Sequence, residues 1–338
     1  MEAVGKIKKR VKQADYLAVV QIFLRDNFLL KRKLKFDDIK PRLLGHFGTC
    51  HGISVAYANL KIWQQESQIQ DFKFVLGVGH GFPALQANLF LDGELAKYYE
   101  DATLDEKGVA YIARNFSWPF GFPSHASPMT PDVILEGGEL GYSLGTSFGA
   151  VLNARERIVA CLIGDGEMET ASLLASMNLN KLVSPISNGI VLPILHLNGY
   201  KISGPTIYGR MSDKELKDLI RGFGYEPYFV DGEETEDFQN ILREIWATYQ
   251  EIKRGENLRL PFVVMKTKKG FGAPEIVHGE KVAGNYLSHQ VPLPNAKTDK
   301  AELELLENWL KSYQFLVEDL TRLESGAVPT IDKLEDLA

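Results

Sequence analysis

The strongest constraint on the fold is a series of short apolar runs. They lie at 72–78, 158–163, 190–197, 227–230 and 261–266, and each is strand-sized and rich in Val, Ile, Leu or Phe. Helical patterns separate most of them, as where Leu216, Leu219, Ile220 and Phe223 fall at i, i+3, i+4 and i+7. Near-continuous apolar strands alternating with helices predict an α/β domain: a doubly wound, mostly parallel sheet with helices on both faces. Further helices are predicted over 12–30 and from the Gly/His-rich loop at 45–52 to about Gln65. The stretch 92–135 reads as long and loop-rich, and a loop of that kind in a compact domain is usually functional. Residues 299–325 predict a strong amphipathic helix with Leu306, Trp309, Leu310, Tyr313, Val317 and Leu320 on one side, stopped by Gly326 and Pro329. The expected organisation is a domain over 1–298 and a helical tail over 299–338.

Composition narrows the partners. The net charge is -6, which gives no basic field for nucleic acid. The start "MEAVGKIKKRVKQAD" lacks an apolar signal core, and no run of eighteen apolar residues predicts a membrane span. Cys50 and Cys161 cannot make a disulfide framework. These features predict a cytoplasmic protein.

The run Val159–Ile163 stops at Gly164-Asp165-Gly166. A tight turn is the plain reading, since glycine permits unusual backbone angles. A helical stretch, Met168 to Leu182, and a second apolar run follow. That run ends in Asn198-Gly199-Tyr200, with Asn198 33 residues beyond Asp165. One loop, one helix and one return strand fill that interval. In a parallel sheet it sets Asp165 and Asn198 side by side at the carboxyl edge, where ligands bind. A carboxylate, an amide oxygen and a backbone carbonyl near Tyr200 are hard donors suited to half of a Mg²⁺ shell. A helix starting near Met168 would aim its N-terminus at an anion. On these two pieces alone, half of a metal-diphosphate site and a turn beside an unrelated Asn are equally open.

More stretches narrow the reading. "LLGHFGTCHGISVAYANL" (43–60), "GVGHGFPALQANLFLDG" (77–93), "PSHASPMTPDVILEGGELGYSLGTSFGA" (123–150), "VLPILHLNGYKISGPT" (191–206), "KTKKGFGAP" (266–274) and "LSHQVPL" (287–293) follow in order. With Gly-Asp-Gly…Asn, they resemble the amino-terminal half of xylulose 5-phosphate/fructose 6-phosphate phosphoketolases, over roughly residues 40–295. Transketolases share the Gly-Asp-Gly…Asn pattern but not the Pro-Ser-His and His-Gln-Val-Pro stretches in this order. The resemblance implies thiamine diphosphate and Mg²⁺ as cofactors. It implies Asp165, Asn198 and the Tyr200 carbonyl as metal ligands. It implies Gly138, Glu139, Leu140, Gly166, Glu167 and Lys269 around the cofactor, and His46, His80, His125 and His289 around the reacting carbon. The activity it implies is cleavage of a ketose phosphate, with inorganic phosphate, to acetyl phosphate and an aldose phosphate.

The seven histidines fit this pattern. Those four lie in Gly/Pro/Ser loops, where an imidazole reaches a site. His196, within "LPILHLN", reads as a satisfied core residue, and His51 and His278 read as loop residues. Cys50 beside His51 is not read as a nucleophilic pair, because adjacent side chains seldom face each other productively.

In the wider cofactor family a glutamate on a second, pyrimidine-binding domain completes the site. No stretch of this sequence matches that domain. A separate chain supplying it, within an oligomer, is the expected arrangement. An enzyme fragment, a non-catalytic cofactor-binding protein and a transketolase-like half-subunit are the alternatives. Three departures stand out. Gly-Val-Gly-His-Gly-Phe-Pro replaces the expected Gly-Pro-Gly-His-Gly-Gly-Pro, so Phe82 is expected to narrow the approach to the cofactor. The Thr49-Cys50-His51 and Lys268-Lys269 pairs also differ from the expected neighbours.

Overall fold

The structure, a computed structural model, describes residues 2–256 and 259–320. Five strands, β1 (Phe72–Leu76), β2 (Ile158–Gly164), β3 (Ile190–Leu197), β4 (Tyr225–Asp231) and β5 (Leu260–Lys266), form one sheet in the order β1-β2-β3-β5-β4. Every pairing is parallel, with Gly164 level with His196 between β2 and β3, and Leu197 level with Lys266 between β3 and β5. Each strand coincides with one of the apolar runs. Every residue of β2 and β3 is buried, which requires cover on both faces of the sheet. Pro193 is tolerated inside β3 because the ladder to β5 begins one residue later, at Ile194, so a missing N–H breaks nothing there. A two-stranded antiparallel hairpin, β6 (Ile276–Val277) and β7 (Glu280–Lys281), stands apart.

The helices are α1 (Glu2–Phe23), α2 (Cys50–Glu66), α3 (Phe82–Leu91), α4 (Glu106–Asn115), α5 (Ser143–Ala150), α6 (Ala171–Ser176), α7 (Asp213–Gly222), α8 (Thr235–Lys253) and α9 (Lys300–Ser312). Helix α5 packs on β1, β2 and β3, α7 on β4, α8 on β4 and β5, and α2 on β2. Helix α1 forms a further layer across α2 and α3. One apolar core runs through all layers, from Leu17 and Phe23 in α1 to Leu306 and Trp309 in α9. Each fully buried Leu, Ile or Phe in it contributes about 1.5–3 kcal/mol.

The helix boundaries depart from expectation in four places. Helix α1 starts ten residues earlier than 12 and stops at Phe23, because Asn27 and Leu30 take left-handed backbone angles. The stretch expected to be helical from Met168 to Leu182 is a 3-10 turn at Glu167–Glu169, the short α6, and a second 3-10 turn at Met177–Lys181. Thr170 is extended and caps α6, which interrupts the run. The expected helix N-terminus at Met168 is therefore not formed. The loop-rich stretch 92–135 contains α4, capped by the Asp105 side chain on the Gly108 N–H. Helix α9 ends at Ser312, since Gln314 has φ +52°, so Val317 and Leu320 do not continue its apolar side. Residues 321–325, Gly326 and Pro329 lie outside the described residues. No described helix is long and apolar enough to cross a membrane.

Candidate active site

Four parallel strands deliver their carboxyl ends to one cavity of about 170 Å³. The loop after β1 brings Val78 and His80, and that after β2 brings Asp165 to Glu167. The loop after β3 brings Asn198, Tyr200 and Ile202, and that after β5 brings Lys269. Thr49, Leu140 and His289 close the sides. The parallel register, with Gly164 level with His196, puts Asp165 one residue past the end of β2 and Asn198 one residue past the end of β3, at the same sheet edge.

Asp165 is almost fully buried and tightly oriented. Its Oδ2 accepts from the Gly199 N–H at 2.7 Å and from Thr206 Oγ1 at 3.2 Å, and its Oδ1 accepts from the Gly166 N–H at 2.9 Å. Burial pushes its pKa up to about 6, against the lowering effect of the Gly199 N–H and the Lys269 charge. The carboxylate thus lacks a full compensating cation. Lys269 is buried, and its Nζ donates to the Tyr200 carbonyl at 2.7 Å. Burial lowers its pKa to about 8, with Asp165 pulling the other way. Gly199 has φ +86°, a conformation that costs a side chain but not glycine.

The oxygen donors Asp165, Asn198 and the Tyr200 carbonyl suit Mg²⁺ in type. The Tyr200 carbonyl has a second lone pair beyond the one that Lys269 takes.

Glu167 lies in the same cavity wall but turns its carboxylate inward. It accepts from Ser143 Oγ at 2.6 Å and from the N–H groups of Gly141 and Gly164, both at 3.2 Å. Burial raises its pKa. Its role in this geometry is to tie the 141–143 loop to the end of β2.

The four loop histidines come together beside the cavity. The His46 ring is 5.1 Å from His80, 5.3 Å from His125 and 5.3 Å from His289, centre to centre, and His80 is 4.9 Å from His289. Burial lowers the His46 pKa to about 4, with His125 and Lys269 adding to it, and lowers that of His289 to about 3. His80 is held well below its ordinary value and His125 below it, burial again being the first cause. All four are therefore neutral at pH 7, each with one donor and one acceptor nitrogen. His125 Nδ1 is paired with Ser124 Oγ at 3.0 Å, whereas Nδ1 of His46 and of His289 is buried without a partner. Buried polar atoms are almost always paired, so these two nitrogens stand out in the cluster.

Two backbone segments hold this cluster. The Ala126 N–H donates to the Gly79 carbonyl at 2.9 Å, and the Gly137 N–H to the Ala126 carbonyl at 2.7 Å. A Cβ on Gly79 would lie 2.1 Å from Gly137 Cα, so only glycine permits that crossing.

Of the residues implied by sequence, Leu140, Gly166, Glu167, Lys269, Asp165, Asn198, Tyr200, His80 and His289 line the cavity, and His46 and His125 join through the ring cluster. Gly138 and Glu139 do not line it. They sit exposed in the adjoining loop, where the Glu139 N–H closes a turn on Glu136. Phe82 does not narrow the approach: it is fully buried in the core, stacked on Phe116. His196 is satisfied at both nitrogens, by Thr49 Oγ1 at 3.1 Å and Thr267 Oγ1 at 2.7 Å. His51 is not a loop residue but the second residue of α2. Thr49, Thr206 and Ile202 lie within the motif stretches at 43–60 and 191–206 but carry no site role read from sequence; their place in the site comes from the folded geometry.

The XFP N-terminal domain family matches residues 1–333. The chain belongs to that family. A probable phosphoketolase of Bradyrhizobium diazoefficiens is 43% identical over 333 residues, covering 95% of this chain and 41% of the relative. One from Gloeobacter violaceus is 42% identical over 324 residues, covering 93% of this chain and 41% of the relative. The chain thus spans about two fifths of the length of these curated relatives. Among solved structures, a transketolase from Campylobacter jejuni superposes with a TM-score of 0.61 at 18% identity, over 90% of this chain and 43% of that one. A transketolase from Leishmania mexicana gives 0.58 at 17% identity, over 94% of this chain and 45% of that one. At such identity the likeness extends to the fold.

Proposed function

We propose that this chain is the diphosphate-binding half of a phosphoketolase. It holds thiamine diphosphate and Mg²⁺ at the strand ends, and a second domain, on a separate chain, covers the pyrimidine end. The substrates are a ketose phosphate (xylulose 5-phosphate, fructose 6-phosphate or both) and inorganic phosphate, and the products are acetyl phosphate and an aldose phosphate. The observation that carries this reading is the meeting of Asp165 and Asn198 at one cavity, next to four neutral imidazoles of which two have unpaired nitrogens.

Asp165, Asn198 and the Tyr200 carbonyl would hold Mg²⁺, and the metal would supply the positive charge that the buried Asp165 lacks. Lys269 would face the diphosphate, with Gly166 and Leu140 lining the approach and Gly138 and Glu139 closing over it. The thiazolium of the bound cofactor supplies the electron sink for carbon–carbon cleavage. The four imidazoles would exchange protons with substrate hydroxyls and donate to oxygens on which charge develops. Their neutrality at pH 7 gives each both capabilities. The cavity is smaller than the roughly 300–1,000 Å³ usual for a complete small-molecule site. Its lining includes the exposed apolar side chains of Leu140 and Ile202, the latter exposed by more than half. An apolar rim on a partial pocket supports a covering domain.

Calorimetric titration with thiamine diphosphate and Mg²⁺ tests the reading. Asp165→Ala should weaken Mg²⁺-dependent binding by about a hundredfold or more, since it removes the one anionic ligand. Unchanged affinity would show that the metal is held elsewhere. Acetyl phosphate should form only when a protein carrying the pyrimidine-binding domain is added. None with any ketose phosphate would leave a cofactor-binding protein without this activity.

A further inference from the structure

A second cavity, of about 330 Å³, backs onto the first, and among its lining residues are Asp15, His51, Glu233, Phe271 and Tyr313. The two cavities share a wall made of two short segments. In one, Thr49 faces the first cavity and His51 the second; in the other, Lys269 faces the first and Phe271 the second. The segments are joined by the Gly270 N–H, which donates to the Gly48 carbonyl at 2.8 Å. Gly270 has φ +67°, and a Cβ there would lie 2.4 Å from the Ser288 side chain, next to His289. The wall therefore connects Lys269 to the histidine cluster on one side and to α2 on the other.

His51 is the most heavily restrained side chain of this wall. Its Nδ1 donates to Asp15 Oδ2 on α1 at 2.6 Å, and its Nε2 donates to Glu233 Oε1, just beyond β4, at 2.6 Å. Its ring stacks on Phe271, 4.3 Å between centres and 27° between planes. Burial alone would lower the His51 pKa, but Asp15 and Glu233 outweigh it and raise it to about 9. The ring is a cation at pH 7, and a cation over an aromatic face is attracted to it.

We propose that His51 is a positioning residue for Lys269: clamped between Asp15 and Glu233, it fixes Phe271, and through Phe271 it holds the 268–272 loop so that the Lys269 ammonium reaches the Tyr200 carbonyl. That the ammonium serves a diphosphate rests on the function proposed above; the wall itself does not. His51 and Lys269, one from each of the two departing stretches, meet at this wall.

The test is amine labelling of the intact chain with an N-hydroxysuccinimide acetate, followed by mass spectrometry. Lys40 serves as the control, because it is equally buried but bonded to Gln21 and Phe116, away from this wall. His51→Ala should raise the labelling rate of Lys269 about tenfold while that of Lys40 stays constant, as expected for local rather than global opening. Phe271→Ala should do the same, and the double variant should add nothing further, because both remove one contact. Phe271→Tyr, which keeps the stack, should label like the unaltered chain. If His51→Ala does not fold, His51→Gln and Phe271→Ala carry the test. Unchanged Lys269 labelling, Lys40 rising in step with it, or additive effects in the double variant would each overturn the proposal. A parallel titration separates the two ideas: failure of the unaltered chain to bind thiamine diphosphate with Mg²⁺ removes the function reading and leaves the labelling result to decide the role of His51.

Discussion

The four-histidine cluster and His51 hold the same side chain in opposite states, one wall apart. In the cluster the neighbours are other imidazoles and Lys269, so burial prevails and the rings are neutral. At His51 the neighbours are two carboxylates at hydrogen-bond distance, so the ring keeps its proton in spite of deeper burial. Charge state here is set by what the ring touches, not by exposure. The cluster leaves Nδ1 of His46 and of His289 without a partner, whereas His51 has spent both of its nitrogens on the protein.

Stability measurements should separate the two most sharply. His51→Ala leaves Asp15 buried with its charge uncompensated and should cost about 3–5 kcal/mol in urea unfolding. His289→Ala removes a buried neutral ring with an unpaired nitrogen, so it should cost less than about half of that. Equal costs would mean that His51 is not held as a charged residue.

The pH dependence should split the same way. The His51 pKa is raised from about 6.5 unfolded to about 9 folded. Its stabilisation is therefore complete below pH 6.5 and lost as pH climbs to 9, a loss of about 3 kcal/mol at most. His46 and His289 are shifted downward, so their effect is present above pH 6.5 and is lost as pH falls toward about 4 and about 3 respectively. In melting curves across this range the alkaline effect of His51 is read as a difference between chains, because Lys40 and Lys269, lowered to about 7 and about 8, slope the other way. His51→Ala should change only the alkaline limb, and His46→Ala combined with His289→Ala only the acid one. An alkaline limb that His51→Ala leaves unchanged would refute the charged clamp.

His196 lies between the extremes, neutral yet bonded at both nitrogens. Thr49→Val removes one bond and should cost about 1 kcal/mol in urea unfolding, the smallest of these effects. A null result would make Thr267 its sufficient partner.

The strands were legible because a strand buried on both faces must be apolar throughout, and each run stood out against its polar flanks. Asp165 and Asn198 were legible because parallel connectivity turns a sequence interval into adjacency at one sheet edge. The helix ends were less so. Thr170 and Gln314 break helices through backbone angles that their side chains do not advertise. The surroundings of His51 were invisible for another reason: Asp15 is 36 positions away and Glu233 is 182, and only the packing of α1 against the loop after β4 brings them together. Glu167 lines the cavity, and its further tie to the 141–143 loop was not legible, since its three donors come from backbone and Ser143 that the sequence does not pair with it.

The crossing of Gly79 and Gly137 limits how this molecule can be remodelled. With no space for even a methyl group between the two threads, His80 and His125 travel as one piece. A protein engineer who swaps either loop to reshape the cavity would drag two imidazoles out of alignment together. The freer handles are Leu140 and Ile202 at the mouth, whose side chains can be trimmed without touching that crossing.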